Sequence, residues 1–135
     1  MVAALAGAGC RVRALARDPG RLAEIIEAPD IVHGSLGDEE ALAALVRDAD
    51  AVIHCAGAVR GVTREQFDAV NVAGAARVAR HASAAGAERF LLVSSLAARE
   101  PALSPYAASK RGGEKAVADA LGTVPLFVIR PPAVY

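Results

Sequence analysis

Short apolar runs alternate with longer amphipathic segments along this chain, and the alternation predicts strands and helices in turn. Residues 12–16 read as a strand, punctuated by Pro19 and Gly20, and residues 22–27 as a short helix. Residues 30–33 form a second apolar run. Asp38 opens a helix over residues 38–47, with Leu42, Leu45 and Val46 on one face. Residues 50–55 are a third strand. Thr63 caps a long helix over residues 63–85, with Glu65 and Gln66 in its first turn, and Gly86 ends it. Residues 89–94 are a fourth strand, Ser104-Pro105 opens a helix over residues 104–121, and residues 125–130 are a fifth strand.

Strands that are apolar almost throughout and alternate with helices indicate a parallel sheet covered on both faces. Such crossovers are right-handed, so the expected fold is α/β: a doubly wound parallel sheet of about five strands with helices on both faces. In this arrangement chemistry sits at the carboxyl ends of the strands. Small, polar or charged groups cluster there: Arg17-Asp18, Gly34-Ser35-Leu36, Cys55-Ala-Gly57, Ser94-Ser95 and Arg130-Pro-Pro132.

The 135 residues suit one small domain or a piece of a larger one. The formal net charge of +0 gives no electrostatic case for nucleic acid or a membrane surface. No apolar segment is long enough to span a bilayer, and no signal-peptide pattern opens the chain. Cys10 and Cys55, in or beside apolar runs and without metal-ligand spacing, read as buried free thiols of a reducing, cytoplasmic compartment. His33 and His54, at or inside strands, read as packed side chains, and His81 as exposed. Cys55 has no evident base beside it for nucleophile chemistry.

The most telling chemistry is Tyr106-Ala-Ala-Ser-Lys110, with Ser94-Ser95 upstream. Residues four apart on a helix share a face, one turn apart. An ammonium group beside a phenol favours the phenolate, and such a pair can move a proton while a hydride moves to or from a carbonyl carbon. Ser95 could hold the substrate oxygen from the other side. The chain has only two lysines and 2 tyrosines, so an accidental pair at this spacing has a probability of roughly a few per cent. A plainer alternative stays open at this point: Ser104-Pro105 starts a helix, Tyr106 packs beside it and Lys110 is solvated.

Taken in order, Val12-Arg-Ala-Leu-Ala-Arg-Asp-Pro19, Ala51-Val-Ile-His-Cys-Ala-Gly57, Asn71-Val-Ala-Gly74, Phe90-Leu-Leu-Val-Ser-Ser95, Tyr106-Ala-Ala-Ser-Lys110 and Ile129-Arg-Pro-Pro-Ala-Val-Tyr135 resemble the extended short-chain dehydrogenase/reductases, the NAD(P)-dependent epimerases and dehydratases. The resemblance covers essentially the whole chain. It implies a Rossmann-like fold, here a partial NAD(P)-binding domain over residues 1–135, and roles for named positions. Tyr106 would be the general acid/base. Lys110 would hold the nicotinamide ribose, and Ser95 would polarise the substrate oxygen, with Ser94 the lesser candidate. Asn71 looks like the family's structural asparagine near that lysine. Cys55, Ala56 and Gly57 would pass close to the cofactor, and Pro131 with Pro132 would shape the loop beside the nicotinamide. Arg17 could meet a 2′-phosphate, whereas Asp18 beside it favours a free 2′-hydroxyl, so the cofactor is NADP or NAD with NADP favoured. A solvated charged turn is the competing reading of Arg17. The partner would be a small-molecule substrate. A homodimer seam along the long helix and the Tyr106 helix would use Ala69, Ala73, Ala76 and Ala107, although these alanines fit intramolecular packing equally well.

The sequence also departs from the family pattern. It contains no Gly-x-x-Gly-x-x-Gly loop. Residues 1–7 look like the second half of the helix that would follow that loop, and Gly7-Ala-Gly9 reads as the turn out of it. The strand normally first and central in the order 3-2-1-4-5-6 is missing, leaving two rows of backbone groups to pair with each other or remain unpaired. These features lead to the expectation of an internal fragment that neither binds dinucleotide tightly nor turns over. In the adenine region the run is Ser35-Leu36-Gly37-Asp38. Serine stands where an acid is usual, Ser35 and Leu36 remain candidate adenine contacts, and Asp38 reads as a helix cap. A non-catalytic dinucleotide-binding sensor or assembly subunit is the competing function.

Overall fold

The computed structural model describes residues 1–18, 20, 30–61 and 63–132. The helix expected over residues 22–27 lies outside the described residues, as do Pro19, Val62 and residues 133–135. The chain divides into two compact units, Met1–Arg47 and Asp48–Tyr135.

The first unit holds α1 (Val2–Gly7), β1 (Arg13–Ala16), β2 (Asp30–His33) and α2 (Glu39–Val46). β1 and β2 pair in parallel, with Ala14 opposite Ile31 and Leu15 opposite Val32. Gly7-Ala-Gly9 is the turn that leaves α1, and Gly9 takes a positive φ of 79° that a side chain would resist. Asp38 caps α2, its carboxylate accepting from the Ala41 amide at 3.0 Å. The other end of α2 is satisfied from a distance: the Arg13 guanidinium donates to the carbonyls of Ala44, Leu45 and Arg47 at 3.0, 3.2 and 2.7 Å. A cation on orphan C-terminal carbonyls answers both their hydrogen-bond need and the helix dipole.

The second unit runs β3 (Ala51–His54), α3 (Arg64–Asp68), a π-helical segment (Ala69–Gly74), α4 (Ala75–Ala84), β4 (Arg89–Val93), two short 3₁₀ turns, α5 (Pro105–Leu121) and β5 (Leu126–Ile129). Its sheet has the order β3-β4-β5, all parallel. The fold is Rossmann-like α/β, with parallel sheets of two and three strands among the described residues.

The long helix is one element with a fault in it. Thr63 and Gln66 form a capping box at its start. At its end Gly86, φ 77°, closes a Schellman turn in which Gly86 and Ala87 donate to Ser83 and Ala82. The π segment between was not legible in the periodicity. Such segments are rare inside α-helices and recur at functional sites. α5 lies close against it: a Cβ on Gly113 would collide with the Asn71 carbonyl oxygen, and one on Gly112 would press on Val72. Of the alanines named for close approach, Ala76 and Ala107 are buried, whereas Ala69 and Ala73 are exposed.

Candidate functional site

Ser104 starts α5 as expected, its hydroxyl accepting from the Ala107 amide at 3.0 Å, with Pro105 in the first turn. Tyr106 and Lys110 then share a face by spacing. Tyr106 is half-buried, its ring edge-on to the buried Phe67 with centroids 5.9 Å apart. Lys110 is buried, and its ammonium donates to the Val93 carbonyl at 3.0 Å. This overturns the plain reading in which Lys110 is solvated. Burial holds the ammonium below the usual lysine range, while Glu114 and Cys55 pull it back up.

Asn71 ties the site to the loop after β3. Its side-chain oxygen accepts from the Ala58 amide at 2.8 Å, and its amide nitrogen donates to the Ala58 carbonyl at 3.0 Å and to Ser109 Oγ at 2.9 Å. Ser109 in turn donates to the Tyr106 carbonyl at 2.8 Å. One buried asparagine, within the π segment, thereby ties a loop to the first turn of α5. Gly57 sits where a Cβ would lie 3.2 Å from Asn71 Oδ1 and 3.7 Å from Lys110 Nζ. Asn71, Lys110 and Gly57 are therefore brought together.

At the end of β4 the two serines part ways. Ser94 is buried and donates to Glu114 at 2.6 Å. Ser95 is half-buried and caps a 3₁₀ turn, accepting from the Ala97 amide at 3.2 Å. A hydroxyl that accepts there still has its proton to donate. Pro131 is half-buried and accepts from the Leu96 amide at 2.9 Å. Glu114 escaped the sequence reading. It lies one turn beyond Lys110 and also accepts from Arg130 and Arg111. Its i+4 spacing from Lys110 was the available signal.

Other candidates fall out differently. Arg17 follows β1 and is exposed. Ser35 is exposed and accepts from the Gly37 amide at 3.2 Å, and Leu36 is half-buried. Cys55, Ala56 and Gly57 are exposed. Both cysteines are exposed, contrary to the buried thiols expected, because Cys10 lies in the segment before β1 and Cys55 lies just past β3. Partial burial still pushes the Cys55 thiol up. His33, expected to be packed, is exposed at the end of β2, and His81 is half-buried. His54 is packed as expected, its ring stacked on Phe90 with centroids 6.4 Å apart. Burial, reinforced by the Lys110 charge, lowers its pKa to about 4 and leaves it neutral, and its Nε2 has no hydrogen-bond partner.

These residues fit the nicotinamide end of a dinucleotide. The buried ammonium has donors beyond the one given to Val93, and the glycine beside it leaves open the space a Cβ would occupy. No helix among the described residues is long and apolar enough to cross a membrane.

Residues 1–133 match the family model described as NAD(P)H-binding. Over 140 residues the chain is 49% identical to a protein named ceramide reductase from Caulobacter vibrioides (strain NA1000 / CB15N). The match covers 100% of this chain and 42% of that protein's length. A short-chain dehydrogenase/reductase superfamily protein from Agrobacterium tumefaciens, solved with bound NAD, superposes with a TM-score of 0.81 at 28% identity, over 96% of this chain and 44% of that one. The Bordetella bronchiseptica enzyme WbmG, solved with NAD and UDP, shares the fold with a TM-score of 0.76 at 21% identity, over 94% of this chain and 46% of that one.

Proposed function

This chain belongs to the NAD(P)H-binding family, and on that premise we propose that it is the hydride-transfer half of an NAD(P)-dependent oxidoreductase, epimerase or dehydratase acting on a carbonyl or alcohol through Ser95, Tyr106 and Lys110. The observation that carries this reading is the buried Lys110 ammonium, hydrogen-bonded to Val93 two residues before Ser95 and facing Gly57 and Asn71. Burying an ammonium is costly, and a purely structural helix would leave this one in water.

The roles follow from the chemistry of the groups. Lys110 donates to the ribose hydroxyls of the nicotinamide nucleotide. The Tyr106 hydroxyl exchanges a proton with the substrate oxygen, and Ser95 donates a hydrogen bond to that oxygen. Asn71 holds Ala58 and, through Ser109, the first turn of α5, so that the tyrosine and lysine keep their mutual position. The cofactor, when bound, supplies or accepts the hydride. The name of the Caulobacter relative supports a ceramide-like lipid alcohol, or the corresponding ketone, as substrate of the whole protein. Arg17 in the first unit favours NADP over NAD, because a guanidinium suits a phosphate. With no Gly-x-x-Gly-x-x-Gly loop among its 135 residues, this chain by itself binds dinucleotide weakly, for lack of the amides that cradle a pyrophosphate.

The test is Tyr106→Phe in a protein that carries a glycine-rich strand and loop ahead of residue 1. Lost turnover with retained NAD(P)H affinity supports catalysis. Unchanged turnover defeats it, and NAD(P)H affinity without turnover in the unsubstituted protein favours a binding module.

A further inference from the structure

Glu114 gathers three elements onto one carboxylate. It stands on α5 one turn beyond Lys110, on the same face, and is buried. Oε1 accepts from Ser94 Oγ at 2.6 Å and Arg130 Nε at 2.8 Å. Oε2 accepts from Arg130 Nη2 at 2.7 Å and Arg111 Nη1 at 3.2 Å. Ser94 immediately precedes Ser95, and Arg130 immediately precedes Pro131. The same two strand ends are stitched by the Ser94 amide to the Ile129 carbonyl at 2.7 Å and the Leu96 amide to the Pro131 carbonyl at 2.9 Å.

Resting on the oxidoreductase reading above, we propose that Glu114 is a positioning residue: its carboxylate holds the ends of β4 and β5, and with them Ser95 and Pro131, against the helix face that carries Tyr106 and Lys110, and it supplies the counter-charge to the buried ammonium. Only a carboxylate offers two acceptor oxygens to the Arg130 fork while taking a serine hydroxyl as well. The groups acting electrostatically on Lys110 are Glu114 from its own helix and His54 and Cys55 from β3 and the residue after it. Burial keeps His54 uncharged at neutral pH and raises the Cys55 thiol. Glu114 is thus the anion of this group, and the Arg130 and Ser94 hydrogen bonds overcome the effect of burial to keep its carboxyl below the usual range.

The chain has only two lysines, so side-chain ammonium NMR reads Lys110 with Lys115, exposed on the same helix, as internal reference. In Glu114→Gln the Lys110 titration moves to lower pH, and amide exchange at Ser94 and Leu96 quickens. In Ser94→Ala, which removes one bond and keeps the charge, exchange quickens at these amides and the Lys110 titration holds its place. A folded Glu114→Gln chain with Lys110 unmoved overturns the proposal, whatever its exchange rates. Should Glu114→Gln fail to fold, Ser94→Ala decides alone, and unchanged protection at Ser94 and Leu96 overturns it. Neither readout needs cofactor or turnover, so failure of the oxidoreductase reading and failure of this proposal are told apart.

Discussion

The two units handle polar groups in opposite ways. In Met1–Arg47 the described buried residues are Ala41, Leu42 and Val46, all on α2, and the strands are at most half-covered. Its organising polar contacts, the Asp38 cap and the Arg13 fork, serve helix ends. In Asp48–Tyr135 six of the described polar side chains are buried: His54, Asn71, Ser94, Ser109, Lys110 and Glu114. All but His54 are bonded to one another, to Arg130 or to backbone near the strand ends. Burying polar groups costs stability unless each is paired, and a paired network of this density holds its members in one geometry. The first unit leaves its polar side chains at the surface, whereas the second holds a set of them fixed by hydrogen bonds.

That contrast can be broken most decisively by kinetics. Tyr106→Phe should lower kcat of the whole protein about 10²- to 10⁴-fold, the range of general acid–base catalysis. Arg17→Ser should leave kcat in place and shift only the ratio of NADPH to NADH affinity, measured by fluorescence titration.

Acid comes next. His54 has an ordinary pKa of 6.5 unfolded and about 4 folded, so the native state binds fewer protons between these values. Its contribution is complete above pH 6.5, is lost as pH falls toward 4, and amounts to about 3 kcal/mol. Urea midpoints against pH should show this loss, and His54→Leu should flatten it. Acidification acts further through Glu114, whose stabilising bonds are present above the usual carboxylate value and vanish as pH falls through its lower folded value.

Gly113→Ala should cost about 3 kcal/mol in urea denaturation, because the clash is with the Asn71 backbone and cannot be relieved by a rotamer. Smallest is the matched pair of cap deletions, Asp38→Ala and Thr63→Ala, at about 1 kcal/mol each. Amide exchange should confine the first to α2 and the second to α3.

Local chemistry made much of the fold legible. The five strands fall within a residue or two of the apolar runs, and Asp38, Thr63 and Ser104 cap where they were expected, since a cap is decided by residues three apart. The Tyr106–Lys110 face was also readable from spacing. Whether Lys110 turned to water or inward was not, because that depends on Val93, seventeen residues away. The Arg13 fork and the Glu114 cluster were hidden for the same reason, each joining elements far apart in sequence. His33, Cys10 and Cys55 were misjudged because apolar neighbours suggested cover, whereas these residues lie where the chain enters or leaves a strand.

The central claim is that the nicotinamide nucleotide is held at Lys110. Titration of the chain with millimolar NADH or NADPH, followed by the ammonium signals of its two lysines, tests this directly. The account predicts a saturable shift at Lys110 with Lys115 silent, abolished by Lys110→Met. Saturable binding seen by nucleotide fluorescence while the Lys110 signal stays unmoved would contradict it.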